Sequence, residues 1–186
     1  MIHPSTSNLY ILTGAPGSGK TAILARLGEE LLCVDEPARE VLAQQRASGG
    51  TGTWDKNPSL FVHLLLRRSI EKYQTALSSG RKAVFDRGLP DCVVYALRAG
   101  TDPKPSLTAV DAYRYNPHVL FLESWSDIYT TDEERTMSFD ETLSFSEALR
   151  DIYVRSDYTP VDVPRGSLDD RAAFVREMIG VAPTAM

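Results

Sequence analysis

Eight consecutive residues near the start of the chain have the types and spacing of a phosphate-binding turn. They follow the pattern G-x-x-x-x-G-K-[ST] and are Gly14, Ala15, Pro16, Gly17, Ser18, Gly19, Lys20 and Thr21. Glycines let successive backbone N–H groups point inward at an anion, and the helix that follows presents its positive end. Lysine at this position reaches the β- and γ-phosphates, and the threonine hydroxyl completes a magnesium shell. These residues predict a P-loop that holds ATP and Mg²⁺, with Lys20 catalytic and Thr21 a metal ligand.

The same segment also fits a second pattern. Residues 17–22 match the dinucleotide-binding turn G-x-G-x-x-[GA], and Asp35 or Glu36 follows at about the distance of a ribose-binding acid. That pattern leaves Lys20 and Thr21 unexplained, because a pyrophosphate turn has no use for a lysine there. We therefore favour the P-loop and keep the dinucleotide site as the alternative.

An acid–arginine pair follows another short apolar run, residues 83–85. Asp86 ends this predicted strand, so it should lie on the same rim as the P-loop, because ligands of parallel α/β sheets collect where the strands end. In P-loop enzymes an acid at this place holds magnesium or its water, and an adjacent arginine such as Arg87 can clamp a phosphoryl group. The alternative is a capping aspartate beside a solvated arginine. We expect Asp86 to be a metal ligand and both residues to be catalytic.

Glu36 lies just past a third apolar run, residues 31–34, and directly before Pro37. The rim argument places it near whatever lies beyond the γ-phosphate. Repulsion from Asp35 and burial are expected to raise its pKa toward the range of a general base for an acceptor hydroxyl. The alternative is structural, since acids and proline both favour the first turn of a helix.

A long acidic loop is predicted at residues 123–141, where seven acids accompany a single arginine, Arg135. Such a loop could close over a bound nucleotide as a lid and bring Arg135 to the transferred phosphate. The alternative is a solvated loop. Trp125, within this stretch, and Trp54 are expected to be packing or loop-anchor residues and not platforms on which a base stacks.

The elements that must position these residues alternate along the chain. Short apolar runs, typical of strands buried on both faces, occur at residues 9–12, 31–34, 83–85, 119–122 and 161–163. Helical patterns lie between them; one begins at Asn57-Pro58, a cap followed by a proline in the first turn. The predicted fold is a three-layer α/β P-loop NTPase of the kinase-like kind, with a mostly parallel five-stranded sheet forming a single domain over residues 1–186. The strand that ends at Asp86 should neighbour the P-loop strand.

The order of these motifs resembles a family of small P-loop ATPases related to the nicotinamide riboside kinase domain of bacterial NAD regulators, described as predicted AAA-type ATPases. The resemblance rests on the segments GAPGSGKT (14–21), DEPARE (35–40), DRGLPD (86–91), DEER (132–135) and YTPVDVP (158–164). It extends from Leu9 to about Glu177. The acid–proline and acid–arginine pairs are more distantly similar to those of deoxynucleoside and thymidylate kinases. The resemblance implies an acceptor-binding or base role for Glu36, and a role beside the phosphates for Asp86 and Arg87.

Composition excludes several classes of protein. The chain has 186 residues, 42% hydrophobic and 24% charged, and a net charge of −5, which is ordinary for a globular protein. Its acidity, without a stripe of Lys and Arg, argues against general nucleic-acid binding. No apolar run is long enough to span a membrane. The N-terminus has no basic-then-apolar signal, and the two cysteines lie far apart in apolar stretches, so a cytoplasmic protein is expected.

Together these features favour an ATP-dependent phosphotransferase acting on a small, nucleoside-like acceptor. In this reading residues 17–21 hold the phosphates, Arg87 and Arg135 neutralise the charge on the transferred group, and Glu36 orients or deprotonates the acceptor. The alternative is an ATPase that acts as a nucleotide-gated switch, in which ATP orders the acidic loop so that a protein partner can bind.

Overall fold

The computed structural model describes residues 8–27, 31–125 and 137–181, which contain a five-stranded sheet with only parallel pairings. The strands are β1 (Leu9–Gly14), β2 (Leu32–Val34), β3 (Ala83–Asp86), β4 (His118–Leu122) and β5 (Thr159–Asp162). Each corresponds to one of the predicted apolar runs. β5 lies at the sheet edge, where one side of the strand is unpaired; this explains why a proline and an aspartate are tolerated there.

The strand order is β2-β3-β1-β4-β5, so the P-loop strand lies at the centre of the sheet. Leu12 of β1 pairs with Asp86 of β3, which confirms that the strand ending at Asp86 neighbours the P-loop strand. The dinucleotide alternative requires the second strand to lie beside the first. Here β3 separates β2 from β1, so Glu36 is not placed as the ribose-binding acid of that fold.

Seven helices surround the sheet in the described part of the chain. They are α1 (Lys20–Arg26), α2 (Pro37–Ala47), α3 (Pro58–Ser78), α4 (Leu89–Arg98), α5 (Lys104–Ala112), α6 (Phe139–Arg155) and α7 (Leu168–Ile179). The predicted cap of α3 is present, because the Asn57 side chain accepts a hydrogen bond from the backbone N–H of Leu60. At α6, Ser138 and Glu141 form a reciprocal capping box. The acidic loop predicted at residues 123–141 therefore extends too far at its C-terminal end, because α6 already begins at Phe139.

The core has two halves, one on each face of the sheet. On one face Ile11, Phe85 and Phe121 pack against α3, α4, α5 and α6. On the other face Leu12 and Leu120 pack against α1 and α7. Successive side chains of a strand point to opposite faces, so continuous apolar strands bury both sides of the sheet. This arrangement confirms the three-layer α/β fold.

The described helices include none with the length and apolar character needed to cross a membrane.

Candidate active site

The P-loop connects the end of β1 to the start of α1. Its backbone needs glycine at two points in particular. A Cβ atom on Gly14 would lie 2.0 Å from the carbonyl oxygen of Leu122 in β4, and Gly14 has φ +134°. Gly19, directly before α1, has φ +88°, a left-handed conformation that other residues rarely adopt. The two glycines therefore let the turn lie tightly against the sheet and open directly into a helix N-terminus.

Lys20 lies beneath this turn and is 6% exposed. Its Nζ donates to the carbonyl oxygens of Gly14 (3.2 Å) and Ala15 (2.8 Å) and to the hydroxyl of Ser18 (3.4 Å). Burial is the main cause that lowers the pKa of Lys20 to about 8, and repulsion from Arg87 is the second. The three partners of the ammonium are neutral oxygens of the turn. Its positive charge is therefore available to an anion that the same turn binds.

Thr21 and Asp86 meet at the end of β3, with 3.4 Å between Thr21 Oγ1 and Asp86 Oδ2. Burial raises the pKa of Asp86. Its second oxygen, Oδ1, is buried without a hydrogen-bond partner among the described residues, an arrangement that native proteins usually avoid. An oxygen pair of this kind fits Mg²⁺, which prefers one or two protein oxygens and takes its remaining ligands from phosphates and water. In the described ranges no group of three or more His, Cys, Asp or Glu side chains could hold a metal.

Arg87 lies beside Asp86 and is 6% exposed. Its Nε donates to Glu36 Oε1 at 2.8 Å, and its Nη1 donates to the Gly14 carbonyl at 3.1 Å and to Asp91 Oδ1 at 2.9 Å. The backbone of Arg87 has φ +73°, an uncommon conformation for a non-glycine residue. Its guanidinium thus joins the end of β1 to the starts of α2 and α4, at the rim where the sequence predicted the site.

The pKa of Glu36 differs from the value that the sequence led us to expect. It is the N-cap residue of α2, and its other oxygen accepts from Arg39 Nε at 3.1 Å. Burial alone would raise its pKa, as predicted. The charges of Arg87 and Lys20, together with hydrogen bonds from Arg87 and Arg39, outweigh burial and lower the pKa to about 2. The expectation of a raised pKa was therefore wrong, and Glu36 is an ionised carboxylate at neutral pH.

Asp91 is a site residue to which the sequence analysis assigned no role. It is 2% exposed. Besides Arg87, it accepts hydrogen bonds from Thr13 Oγ1 (2.9 Å), Gly88 N (3.1 Å) and Tyr153 OH (2.5 Å). This network fixes the carboxylate that holds Arg87. The four-residue spacing of Arg87 and Asp91 at a helix start could have indicated their ion pair. The contacts with Thr13 and Tyr153 could not be found in this way, because those residues are distant in sequence.

A cleft of about 920 Å³ opens over the P-loop. Towards α2 and α4 its walls include Glu36, Arg39, Arg98 and an aromatic group of Trp54, Phe61 and Tyr95, whose rings meet edge to face with centroids 6.0 Å apart. Towards α7 the lining residues include Trp125, Leu168 and Arg171. The cleft thus extends to both sides of the phosphate-binding turn, with room for a nucleotide and a second small molecule.

The predicted lid is only partly within the described residues. Residues 126–136, and with them Arg135, lie outside these residues, so the role of Arg135 stays a prediction. On either side of this gap, Trp125 and Met137 both line the cleft. Trp125 therefore lines the site, as does Trp54, whereas both were expected to be packing or loop-anchor residues.

Comparisons with known proteins give the family and the fold of the chain. Residues 9–171 match a family model, AAA_28, described as an AAA domain. Among curated proteins, none matches the sequence. Among solved structures the chain is similar to NadR protein in complex with NR (TM-score 0.65, 18% identity), covering 97% of this chain and 53% of that one. It thus spans about half the length of that relative.

Two further structures are similar over nearly the full length of both chains. Thymidylate kinase from Ehrlichia chaffeensis has a TM-score of 0.55 and 12% identity, covering 94% of this chain and 100% of that chain. Deoxyadenosine kinase from M. mycoides, with bound dCTP, has a TM-score of 0.53 and 12% identity, covering 93% and 99%. At these identities the likeness establishes the fold, which is that of the P-loop kinases.

Proposed function

Because this chain belongs to the AAA_28 family of AAA domains, we propose that it binds ATP with Mg²⁺ over the P-loop and transfers the γ-phosphoryl group to a small, nucleoside-like acceptor. The observation that carries this proposal is the meeting of Lys20, Thr21 and Asp86 at one rim, where Asp86 Oδ1 is buried without a partner among the described residues. That oxygen and a buried ammonium are what a magnesium–phosphate complex requires.

The P-loop residues would hold the nucleotide. Backbone N–H groups of residues 17–21 and the Lys20 ammonium bind the phosphates, and α1 adds the positive end of its dipole. Thr21 and Asp86 would hold the magnesium ion. The ion held there would supply positive charge to offset the negative charge that develops during transfer.

Glu36 and Arg87 would position the acceptor. Glu36 stays ionised, so its carboxylate can accept a hydrogen bond from an acceptor hydroxyl and aim that oxygen at the γ-phosphorus. Phosphoryl transfer has a loose transition state that needs little help from a base, so a carboxylate of low basicity is sufficient. Arg87, held by Glu36 and Asp91, supplies positive charge next to the transferred group.

The aromatic group supports a planar acceptor. Trp54, Phe61 and Tyr95 line the α2–α4 side of the cleft, which Glu36 also lines. Aromatic side chains contribute large apolar area to ligand pockets, while a few polar groups fix orientation. A heterocyclic ring joined to a hydroxyl-bearing group matches this combination of an aromatic wall and a carboxylate, which is why we favour a nucleoside-like acceptor.

Calorimetry and melting measurements test the binding part of the proposal. ATP with Mg²⁺ at about 100 times its Kd should add about 2.7 kcal/mol to the free energy of unfolding, or about 5 to 10 °C in Tm. Lys20→Ala should abolish most of this gain, whereas Lys56→Ala, at an exposed lysine outside the cleft, should retain it. No shift with millimolar ATP and Mg²⁺, or a shift with NADH alone, would contradict the proposal.

A further inference from the structure

Arg171 of α7 is a buried cation next to the P-loop. It is 7% exposed, lines the cleft, and donates from Nη2 to the carbonyl oxygen of Ser18 at 2.5 Å. Its Cζ also lies 5.9 Å from the centroid of the Trp125 ring. Arg171 therefore reaches the phosphate-binding turn from α7, on the far side from Arg87 and α4.

Within the described ranges, no acidic side chain offsets the charge of Arg171. Among the described residues, no carboxylate lies within 4.0 Å of its guanidinium, and burial lowers its pKa. The two nearest acids in sequence are otherwise engaged: Asp169 pairs with Arg26, and Asp170 accepts from Ser167. Arg87, by contrast, has two carboxylate partners. A buried charge is costly unless it is paired, so an uncompensated guanidinium that faces a cleft points to an anionic ligand.

The contact with the P-loop indicates where that anion lies. A Cβ atom on Gly19 would be 2.9 Å from Nη1 of Arg171, so the guanidinium lies directly against the turn whose N–H groups receive phosphates. Arginine has five donors in a fixed fork and can bind a carbonyl and a phosphate oxygen at once. The Ser18 carbonyl uses part of this fork.

We propose that Arg171 is a second phosphate-binding residue of the nucleotide site, which contacts the polyphosphate of a nucleoside triphosphate from the α7 side while Lys20 contacts it from beneath the turn. This inference rests on the proposed function, because it places ATP over the P-loop. It adds that the affinity for the nucleotide depends on a residue of α7. The affinity that Arg171 contributes should grow with the number of phosphates on the ligand, since each added phosphate increases the negative charge.

Calorimetric titrations of the full chain with AMP, ADP, ATP and inorganic tripolyphosphate test the proposal. The variants are Arg171→Gln, which removes the charge, and Arg171→Lys, which keeps the charge but loses the fork. Arg165→Gln is the matched control, because Arg165 also lies 5.9 Å from the Trp125 ring but is exposed and does not line the cleft.

We expect Arg171→Gln to weaken ATP and tripolyphosphate binding by about tenfold or more, as for loss of a charge-assisted hydrogen bond. The loss should be smaller for ADP and close to none for AMP. Arg171→Lys should fall between wild type and Arg171→Gln, and Arg165→Gln should bind like wild type. Since Arg171→Lys retains the charge, it keeps the test open if the glutamine variant does not fold.

Equal weakening for AMP and ATP would overturn the proposal, because it would indicate a general distortion of the turn. Unchanged ATP affinity in both Arg171 variants, or equal losses in Arg165→Gln and Arg171→Gln, would overturn it as well. In each of these cases the proposed function survives if Lys20→Ala still abolishes ATP binding. A wild-type protein that binds neither ATP nor tripolyphosphate overturns the proposed function and this inference together.

Discussion

Nε of Arg87 donates to Oε1 of Glu36 across 2.8 Å, and this bond joins the end of β3 to the start of α2. Both side chains are largely buried, with 6% and 13% of their surfaces exposed. Removing one member of a buried ion pair leaves the other uncompensated, which is more costly than removing both. The pair therefore keeps Glu36 ionised and holds the Arg87 side chain at the rim of the cleft, which both residues line.

Glu36→Gln should slow phosphoryl transfer by about a hundredfold while changing ATP affinity little. The amide keeps the size of the side chain, but it loses the charge that holds Arg87 and aims the acceptor. Glu40→Gln is the control, because Glu40 is an ion-paired acid of the same helix that does not line the cleft. Equal turnover of the two variants would exclude Glu36 from the site.

The pH dependence of the free energy of unfolding should also reflect the protonation of Glu36. Its pKa in the folded protein, about 2, lies below the usual value of 4.5. The unfolded chain therefore binds more protons between these values, and stability that is present above pH 4.5 is lost as the pH falls toward 2. Denaturant unfolding from pH 6 to pH 3 should show a shallower decline in Glu36→Gln than in wild type. Parallel declines would mean that the ion pair does not hold this pKa down.

Asp91→Asn should lower both stability and turnover. Breaking a buried ion pair costs about 3–5 kcal/mol, and Arg87 would lose one of its two carboxylate partners. Tyr153→Phe removes only the hydroxyl that donates to Asp91 and should cost about 1–2 kcal/mol. In both variants ATP affinity should change less than kcat, because Asp91 acts through Arg87. A selective loss of ATP affinity in Asp91→Asn would contradict this positioning role.

Asp86→Asn should weaken the Mg²⁺-dependent part of ATP binding without destabilising the free protein. Burial raises the pKa of this carboxyl, and one of its oxygens is buried without a partner among the described residues. A neutral amide is therefore tolerated, and the Tm without ligand should stay the same or rise. Titration of Mg²⁺ at fixed ATP should show about a tenfold to hundredfold loss. Asp35→Asn, at an exposed acid on the same side of the sheet, should titrate like wild type.

ATP affinity should fall as the pH rises through about 8. In the free protein the pKa of Lys20 is lowered to about 8 from the usual 10.5, so the ammonium is progressively lost above that pH, while a bound phosphate would retain it. Binding should then take up a proton, and affinity should decline by up to about tenfold per pH unit. Calorimetry in two buffers of different ionisation enthalpy measures this uptake. Flat affinity from pH 7 to pH 9 would contradict the lowered pKa.

The fold and the P-loop could be predicted because their signals are local. Residues 14–21 form a contiguous turn whose residue types are dictated by backbone geometry, and each strand appears as its own apolar run. The position of Asp86 next to the P-loop strand followed from the rule that parallel strands end at a common rim. Such features depend on neighbouring residues and on sheet architecture, not on particular long-range contacts.

The protonation of Glu36 and the contact of Arg171 with the P-loop could not be predicted, because both depend on tertiary pairing. Burial raises the pKa of Glu36, and the largest of the influences that outweigh it is the charge of Arg87, which lies 51 positions away in sequence. Arg171 contacts Ser18 across 153 positions, and nothing in the pattern of α7 distinguishes it from a solvated arginine. Asp91 could be predicted only in part. Its spacing from Arg87 is apparent in the sequence, but its hydrogen bonds with Thr13 and Tyr153 are not.

The fate of the γ-phosphoryl group tests the proposed function most directly. ATP labelled with ³²P at the γ-position would be incubated with Mg²⁺ and with nucleosides, vitamins and sugars in turn, and the label separated into inorganic phosphate and organic products. We predict that with at least one acceptor the label enters an organic product, that ADP forms faster than without it, and that Lys20→Ala abolishes both effects. Label found only in inorganic phosphate, at the same slow rate with every compound, would contradict the phosphotransferase and favour a nucleotide-gated switch.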